Sequence, residues 1–294
     1  MDLKNLRAFV EVVRQNGFTA AGKVLNATQS TVSKAVRALE DEVGVPLLDR
    51  LAQKKPRLTP IGEAVYARAL RLLAERDDLL AEIAELRGLK RGVLRLGLPP
   101  VGSGILFAPL FAQFRKAYPG IDIRLVEQGS ARLEEILRLG EIDFAASLLP
   151  VDEDFEAHEI RRDPLMTLVA ADHPLARRKT ICINDLRETP LILFESGFAQ
   201  NRVIINACHR AGFEPTVAAR SGQIDFLVEL AAAGVGAAFL PRLLVESHAR
   251  RGVVSLVLDE PGVDWRLALV WRKGAYLSDA ARAWRALALA ARFD

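Results

Sequence analysis

The chain has 294 residues, 50% of them apolar and 26% charged; this is the balance of globular protein, which excludes a disordered or collagen-like chain and leaves length for about two domains. The net charge is only +3, but the first sixty residues hold ten basic side chains against six acidic ones, so the basic excess sits at one end, as in a chain whose head meets a polyanion. Two cysteines (Cys182 and Cys208) build no disulfide framework, charges interrupt the first seven residues, and no apolar run reaches membrane length, so the expectation is a cytoplasmic protein with no membrane partner.

Three short helices are predicted in the head. Leu3, Leu6, Phe9, Val10 and Val13 recur at helical spacing up to Asn16-Gly17. Thr19 is read as the N-cap of a second helix with Ala20, Ala21, Val24 and Leu25 inward. Thr28 then caps a third, with Val32, Val36, Leu39 and Val43 inward and Gly44 closing it. Two helices joined by so short a turn form a helix-turn-helix.

The outer face of the third helix is polar. Ser30, Ser33, Lys34 and Arg37 share one side, with Thr28, Gln29 and Thr31 at its leading end. Small hydroxyls let a helix lie deep in a major groove, where Gln pairs with adenine and Lys or Arg with guanine. Arg50, Lys54, Lys55 and Arg57 follow in a basic, turn-prone stretch flanked by apolar residues, the pattern of a hairpin wing that reaches the DNA backbone.

Phe18-Thr19-Ala20-Ala21, Thr28-Gln29-Ser30-Thr31-Val32-Ser33-Lys34, Arg37, Leu39-Glu40, Gly44, Leu47, Arg50, Leu58-Thr59 and Gly62 together resemble the N-terminal signature of LysR-type transcriptional regulators. Two positions depart from it: Gly22 stands where Ala is usual, at a cost of about 1 kcal/mol in helix propensity, and Leu48 stands where Phe is usual.

Thr59-Pro60 marks the start of a long helix running to about residue 87. Val65, Leu72, Leu79 and Leu86 fall every seven residues, with Ala69 and Ile83 four after the first and third, which predicts a coiled-coil seam broken at Arg76. The resemblance implies that this segment pairs two chains and spaces two heads, in a dimer and then a homotetramer.

Beyond residue 91, strands predicted at 92–99, 121–127 and 142–147 alternate with helices at 102–117 and 131–139, which predicts a parallel α/β sheet. After Asp163 the pattern restarts, with strands at 165–171, 191–194, 236–241 and 265–271 and helices at 200–211, 226–233 and 278–292. Tyr118-Pro119, Asp172-His173-Pro174-Leu175, Ala233-Gly234-Val235-Gly236 and Leu240-Pro241 extend the resemblance to the family's effector domain, similar to periplasmic substrate-binding proteins. The expected architecture is therefore an all-α winged helix-turn-helix (1–59), a linker or dimerisation helix (60–90) and a two-lobed α/β domain of periplasmic-binding-protein type 2 (91–294). Lobe I takes about 91–163 and 265–294, and lobe II about 164–264.

A ligand is expected between the lobes, beyond the carboxyl ends of strands and beside helix N-termini. Candidates are Pro99, Pro100, Val101, Gly102 and Ser103 after the first strand, Ser130 beside Gly129, and Ser147 on the third strand. Lobe II offers Ser196, Gln200, Asn201 and Arg202 in one loop, and Gln223 before another helix. Leu148 and Leu149 stand where many relatives place a polar or basic residue, which points away from a large di-anion and toward a small monocarboxylate.

Catalysis, cofactors and metals find no pattern. Gly102-Ser103-Gly104 has Phe107 where a dinucleotide loop needs its third Gly, and no pair among His158, His173, His209 and His248 has metal-ligand spacing with a cysteine. The expectation is a ligand-responsive DNA-binding regulator whose partners are double-stranded DNA, a small effector, other copies of itself and, by the resemblance, RNA polymerase. The competing reading is a binding protein or enzyme carrying a winged head for association; such a surface favours apolar residues where this chain has Gln29, Ser33, Lys34 and Arg37.

Overall fold

A computed structural model describes residues 1–49, 56–86, 92–248 and 251–293. They fall into two compact units, one within Met1–Leu89 and Leu139–Glu141 and the other within Lys90–Arg138 and Ile142–Asp294.

The N-terminal unit runs α1 (Leu3–Arg14), α2 (Phe18–Val24), α3 (Gln29–Val43), the hairpin β1 (Leu48–Asp49) and β2 (Arg57–Leu58), and α4 (Pro60–Leu86). Leu6, Phe9, Val10, Ala21, Val32, Val36, Leu39, Leu47, Ala69 and Leu70 form one buried core. Thr28 caps α3, accepting from the Thr31 N–H at 3.2 Å, and Gly44 ends it in the left-handed region at φ +80°. The second helix differs from its expected form. Gly17, not Thr19, is its N-cap, so the helix begins two residues earlier, directly after the positive φ of Asn16 (52°); Val24 is 53% exposed instead of inward. Gly22 also gains a reason, since a Cβ there would meet the Ala27 carbonyl oxygen at 2.7 Å.

Two tethers set the hairpin. Glu40, buried on α3, accepts from the backbone N–H of Leu47 at 2.9 Å and of Leu48 at 3.3 Å. Thr59 Oγ1 donates to the Pro46 carbonyl at 2.9 Å and accepts from the Gly62 N–H at 2.9 Å, capping α4. Gly62 packs so close that a Cβ would meet the Leu47 oxygen at 2.0 Å. The expected seam on α4 divides. Ala69 is buried in the head's core with Val65 packed against it, whereas Leu72 and Leu79 are 49% and 55% exposed. The first half of the helix thus packs largely on its own unit, and the uncovered stripe of Leu72 and Leu79 begins nearly halfway along.

The C-terminal unit continues β3 (Val93–Leu98), α5 (Pro100–Ala117), β4 (Asp122–Glu127), α6 (Ser130–Arg138), β5 (Phe144–Leu148), β6 (Phe155–Ala170), β7 (Thr180–Ile181), β8 (Leu191–Phe194), α7 (Ala199–Arg210), β9 (Val217–Ser221), α8 (Ile224–Ala232), β10 (Ala238–Pro241), α9 (Arg242–Val245), β11 (Val253–Leu258), β12 (Asp264–Arg272) and α10 (Asp279–Ala290). In lobe I, β3 lies between β4 and β5, parallel to both; β12 then adds antiparallel to β5, and β6 antiparallel to β12. The expected parallel pairing holds for β3, β4 and β5, and β12 and β6 make the sheet mixed. The 16-residue β6 pairs with β12 over its first part and with β10 and β11 over its last, carrying the chain from lobe I into lobe II. Buried Asp163 marks the crossing, accepting from the Leu243 N–H at 2.6 Å at the start of α9.

Candidate functional site

Two surfaces collect the polar residues singled out by the sequence. The first is the outer side of α3. Val32, Val36 and Leu39 hold its inner side in the core, so the 3.6-residue period turns Gln29, Ser30, Thr31, Lys34 and Arg37 outward, all exposed, with Ser33 half-buried. Thr28 Oγ1 lies 2.9 Å from Ser30 Oγ and 2.8 Å from Thr31 Oγ1, which gathers three small hydroxyls at the helix's leading end. Arg57 is exposed on β2, opposite Asp49. Arg50, Lys54 and Lys55 lie outside the described residues. The surface is cationic and convex, and it presents amide, hydroxyl, ammonium and guanidinium donors on a helix narrow enough for a major groove.

The second is the cleft between the lobes, which is nearly shut. The Ala131 N–H of lobe I donates to the Gly197 carbonyl of lobe II at 2.9 Å, and Arg202 donates to the Pro150 carbonyl at 3.2 Å. A Cβ at Gly129 would meet the Gly197 oxygen at 2.6 Å, so only glycine admits this approach of backbones. Behind the contact a void of about 10 Å³ remains, lined by Pro99, Val101, Ser130, Leu148, Gln200 and Trp265 among others. In front of it an open cavity of about 480 Å³ is lined by Glu134, Ser196, Asn201, Arg202 and Arg220, among others. Phe198 and Ala199 border both.

The expected cleft residues part company here. Pro99, Val101 and Ser130 line the inner void, and Ser196, Asn201 and Arg202 the outer cavity; Pro100, Gly102, Ser103, Ser147 and Gln223 line neither. Ser103 donates its hydroxyl to the Pro99 carbonyl, Ser147 to Glu134 Oε1. Asn201 spends both ends of its amide on the strand-to-helix loop: Oδ1 accepts from the Phe194 N–H at 3.1 Å, and Nδ2 donates to the Phe194 and Glu195 carbonyls, each at 2.9 Å. Gly102, at φ +82°, kinks the start of α5 where a Cβ would meet the Trp265 ring at 2.9 Å. The sequence reading missed Glu134, Phe198, Arg220 and Trp265. Their only local signal is amphipathic position; what gathers them is the closure of two lobes.

The cysteines differ in setting. Cys182 is exposed, while Cys208 is buried on α7, and burial pushes its thiol up to about 11, with Glu214 and Glu260 adding to the rise. A thiol so placed stays protonated and is a poor nucleophile. Among the described residues, no group of three or more His, Cys, Asp or Glu side chains is placed to hold a metal, and no helix is long and apolar enough to cross a membrane.

Comparison with known proteins follows the same division. Residues 3–63 match the model of the bacterial regulatory helix-turn-helix protein, lysR family, and residues 87–292 match the LysR substrate binding domain. The chain is 35% identical over 286 residues to the uncharacterized HTH-type transcriptional regulator YwbI of Bacillus subtilis, covering 97% of this chain and 94% of that one. It is 30% identical to the transcriptional dual regulator GltC of the same organism, covering 96% and 94%. Among solved structures, a full-length OxyR variant from Pseudomonas aeruginosa superposes with a TM-score of 0.69 at 27% identity, covering 98% of this chain and 93% of that one. CbnR in complex with its target DNA has the same fold, with a TM-score of 0.60 at 24% identity and coverage of 98% and 99%.

Proposed function

The chain belongs to the LysR family, as a DNA-binding transcriptional regulator with an effector-binding domain and not an enzyme; from that premise we propose that it reads a two-fold operator through α3 under the control of a small carboxylate held between its lobes. The observation that carries the reading is the split of α3, whose apolar half is locked in the core while Gln29, Lys34 and Arg37 stand exposed on the other half. Base edges are read by Gln29, Ser30, Thr31, Ser33, Lys34 and Arg37. Thr28, Arg57 and the wing residues Arg50, Lys54 and Lys55 hold phosphates, contacts that position the head and carry no sequence information.

The exposed Leu72 and Leu79 on α4 pair two chains, and two such dimers form a tetramer that works with RNA polymerase at promoters in the cytoplasm. A ligand acts by binding one quaternary arrangement better than another. Relatives named as probable hydrogen peroxide-inducible genes activators raise a redox reading. The buried, protonated Cys208 speaks against a peroxide-reactive thiol at that position.

DNase I footprinting of the full-length protein on the DNA directly upstream of its own gene tests the proposal. Two protected half-sites separated by whole helical turns are expected. Uniform protection of that DNA and of a scrambled control overturns it.

A further inference from the structure

Phe198 lines both the inner void and the outer cavity, and the two spaces differ chemically. Its ring stacks on Phe194, with centroids 4.8 Å apart and 13° between planes, and is itself half-buried. On the inner side, Gln200 is 5% exposed. Its Nε2 donates to the Phe239 carbonyl at 2.8 Å, which fixes the orientation of the amide, because a flipped group would set oxygen against oxygen. The buried Oε1 is then left without a partner, and Gln200 lines a void whose other walls are mainly Pro99, Val101, Leu148, Trp265 and Leu267, with Ser130. That oxygen asks for a donor.

On the outer side the demand is opposite. Arg202 and Arg220 bring two guanidinium groups to the wall, against the single carboxylate of Glu134, which already accepts from Ser147. The excess of one positive charge suits one carboxylate. The outer volume of about 480 Å³ lies within the ordinary size of small-molecule sites.

Resting on the reading that this cleft holds the effector, we infer that the ligand is a small monocarboxylic acid with a hydrogen-bond donor at its far end. The carboxylate meets Arg202 and Arg220; the hydroxyl, amine or amide N–H passes Phe198, which swings aside, and donates to Gln200 Oε1. The inner void alone is about the size of one water molecule, so without movement of Phe198 the far end finds no room.

Calorimetry on the full-length protein tests this with straight-chain monocarboxylates of about three to six carbons, a span set by the pocket size, each paired with its terminally hydroxylated counterpart, and with the matching diols as a neutral series. At one chain length the hydroxy acid binds at least about tenfold more tightly than the plain acid, the factor a satisfied buried acceptor supplies. Arg220→Gln weakens both members of that pair alike. Gln200→Met removes the hydroxyl's advantage, and a cooperative thermal transition shows that the variant is folded. Phe198→Trp, which leaves Gln200's hydrogen bond alone, removes the same advantage by blocking the passage.

Equal binding of plain and hydroxylated acids overturns the inference and leaves Gln200 facing a buried water only. Heat from the diols and none from the acids overturns its arginine half. Heat from no member of any series overturns the ligand class altogether. The broader reading of an effector cleft is decided separately, by whether Gly129→Ala, which holds the lobes apart, alters the operator footprint.

Discussion

Lys34 and Arg37 on α3, and Ser103, Ser147 and Asn201 in the two lobes, are all polar side chains, yet they are used in opposite ways. On α3 the polar groups face outward with their donors unspent on backbone, because one helix with one buried stripe leaves its other side to solvent. Around the cleft the polar groups are consumed: Ser103 by Pro99, Ser147 by Glu134, Asn201 by three backbone groups of its own loop. What remains there for a ligand is a buried amide oxygen, the guanidinium N–H groups that Arg202 and Arg220 do not give to the Pro150 and Phe194 carbonyls, and the aromatic ring of Phe198. A convex reading head thus exposes its chemistry to begin with, whereas a closing cleft spends most of its polar groups on shape.

Substitutions can separate these two economies, and the largest effect is expected where the head is most tightly built. Gly62→Ala forces a Cβ onto the Leu47 carbonyl, at a cost of about 3 kcal/mol or more by overpacking against backbone. A thermal melt should then show the N-terminal unit unfolding at a lower temperature than the C-terminal unit, with the latter's transition unmoved. A single shifted transition would show that the two units share their stability.

Gly129→Ala does the same to the cleft, at about 1–3 kcal/mol against the Gly197 carbonyl. The Ala131 amide, now bonded across the lobes, should lose its protection from hydrogen exchange while α3 keeps its own. Unchanged protection at Ala131 would mean that the lobes close without that contact.

A smaller effect is expected on the wing. Arg57→Ala should lower affinity for all DNA alike and reduce the slope of log affinity against log salt by about 1. A loss confined to one DNA sequence would instead place Arg57 among the base-reading residues.

The smallest effect concerns pH. Asp185 accepts from the Cys182 N–H at 3.0 Å and from Arg178 at 2.7 Å, and these bonds, the backbone one foremost, hold its carboxyl below the usual range. Its contribution is present above the ordinary Asp value near pH 4 and lost as pH falls through the lower folded value. Asp185→Asn should cost about 1 kcal/mol or less at neutral pH. The difference from wild type should vanish in acid; a gap that persists at low pH would rule out the charge as its source.

The legibility of the sequence follows the same line between local and long-range order. The helices of the head could be read because Leu6, Phe9, Val32, Val36 and Leu39 repeat at helical spacing and Thr28 and Gly44 punctuate them. The restart of the strand and helix pattern after Asp163 marks two lobes, and the resemblance to the family adds their type, whereas the strand patterns alone predict a parallel sheet. The first part of β6 escaped notice because Glu156, His158, Glu159, Arg161 and Arg162 give it no apolar alternation; its ladder to β12, more than a hundred residues away, makes it a strand. On α4, a seven-residue repeat could not tell which leucines and valines the head would cover first. In the cleft, the tight turns at Gly129 and Ser130 were visible as helix starts, but the meeting of Gly129 with Gly197, or of Phe198 with Trp265 around one void, depends on the lobes closing.

The most direct test of sequence reading by the exposed half of α3 is a competition anisotropy measurement at fixed salt. It compares the DNA upstream of this chain's own gene with random DNA, for wild type and Lys34→Ala. Loss of one base-reading contact should lower the ratio of specific to random affinity by about tenfold, within the range of one good side-chain–base pair, while random-DNA affinity changes little. An equal fall on both DNAs would reduce Lys34 to a phosphate contact and contradict the assignment of α3 as the reading helix.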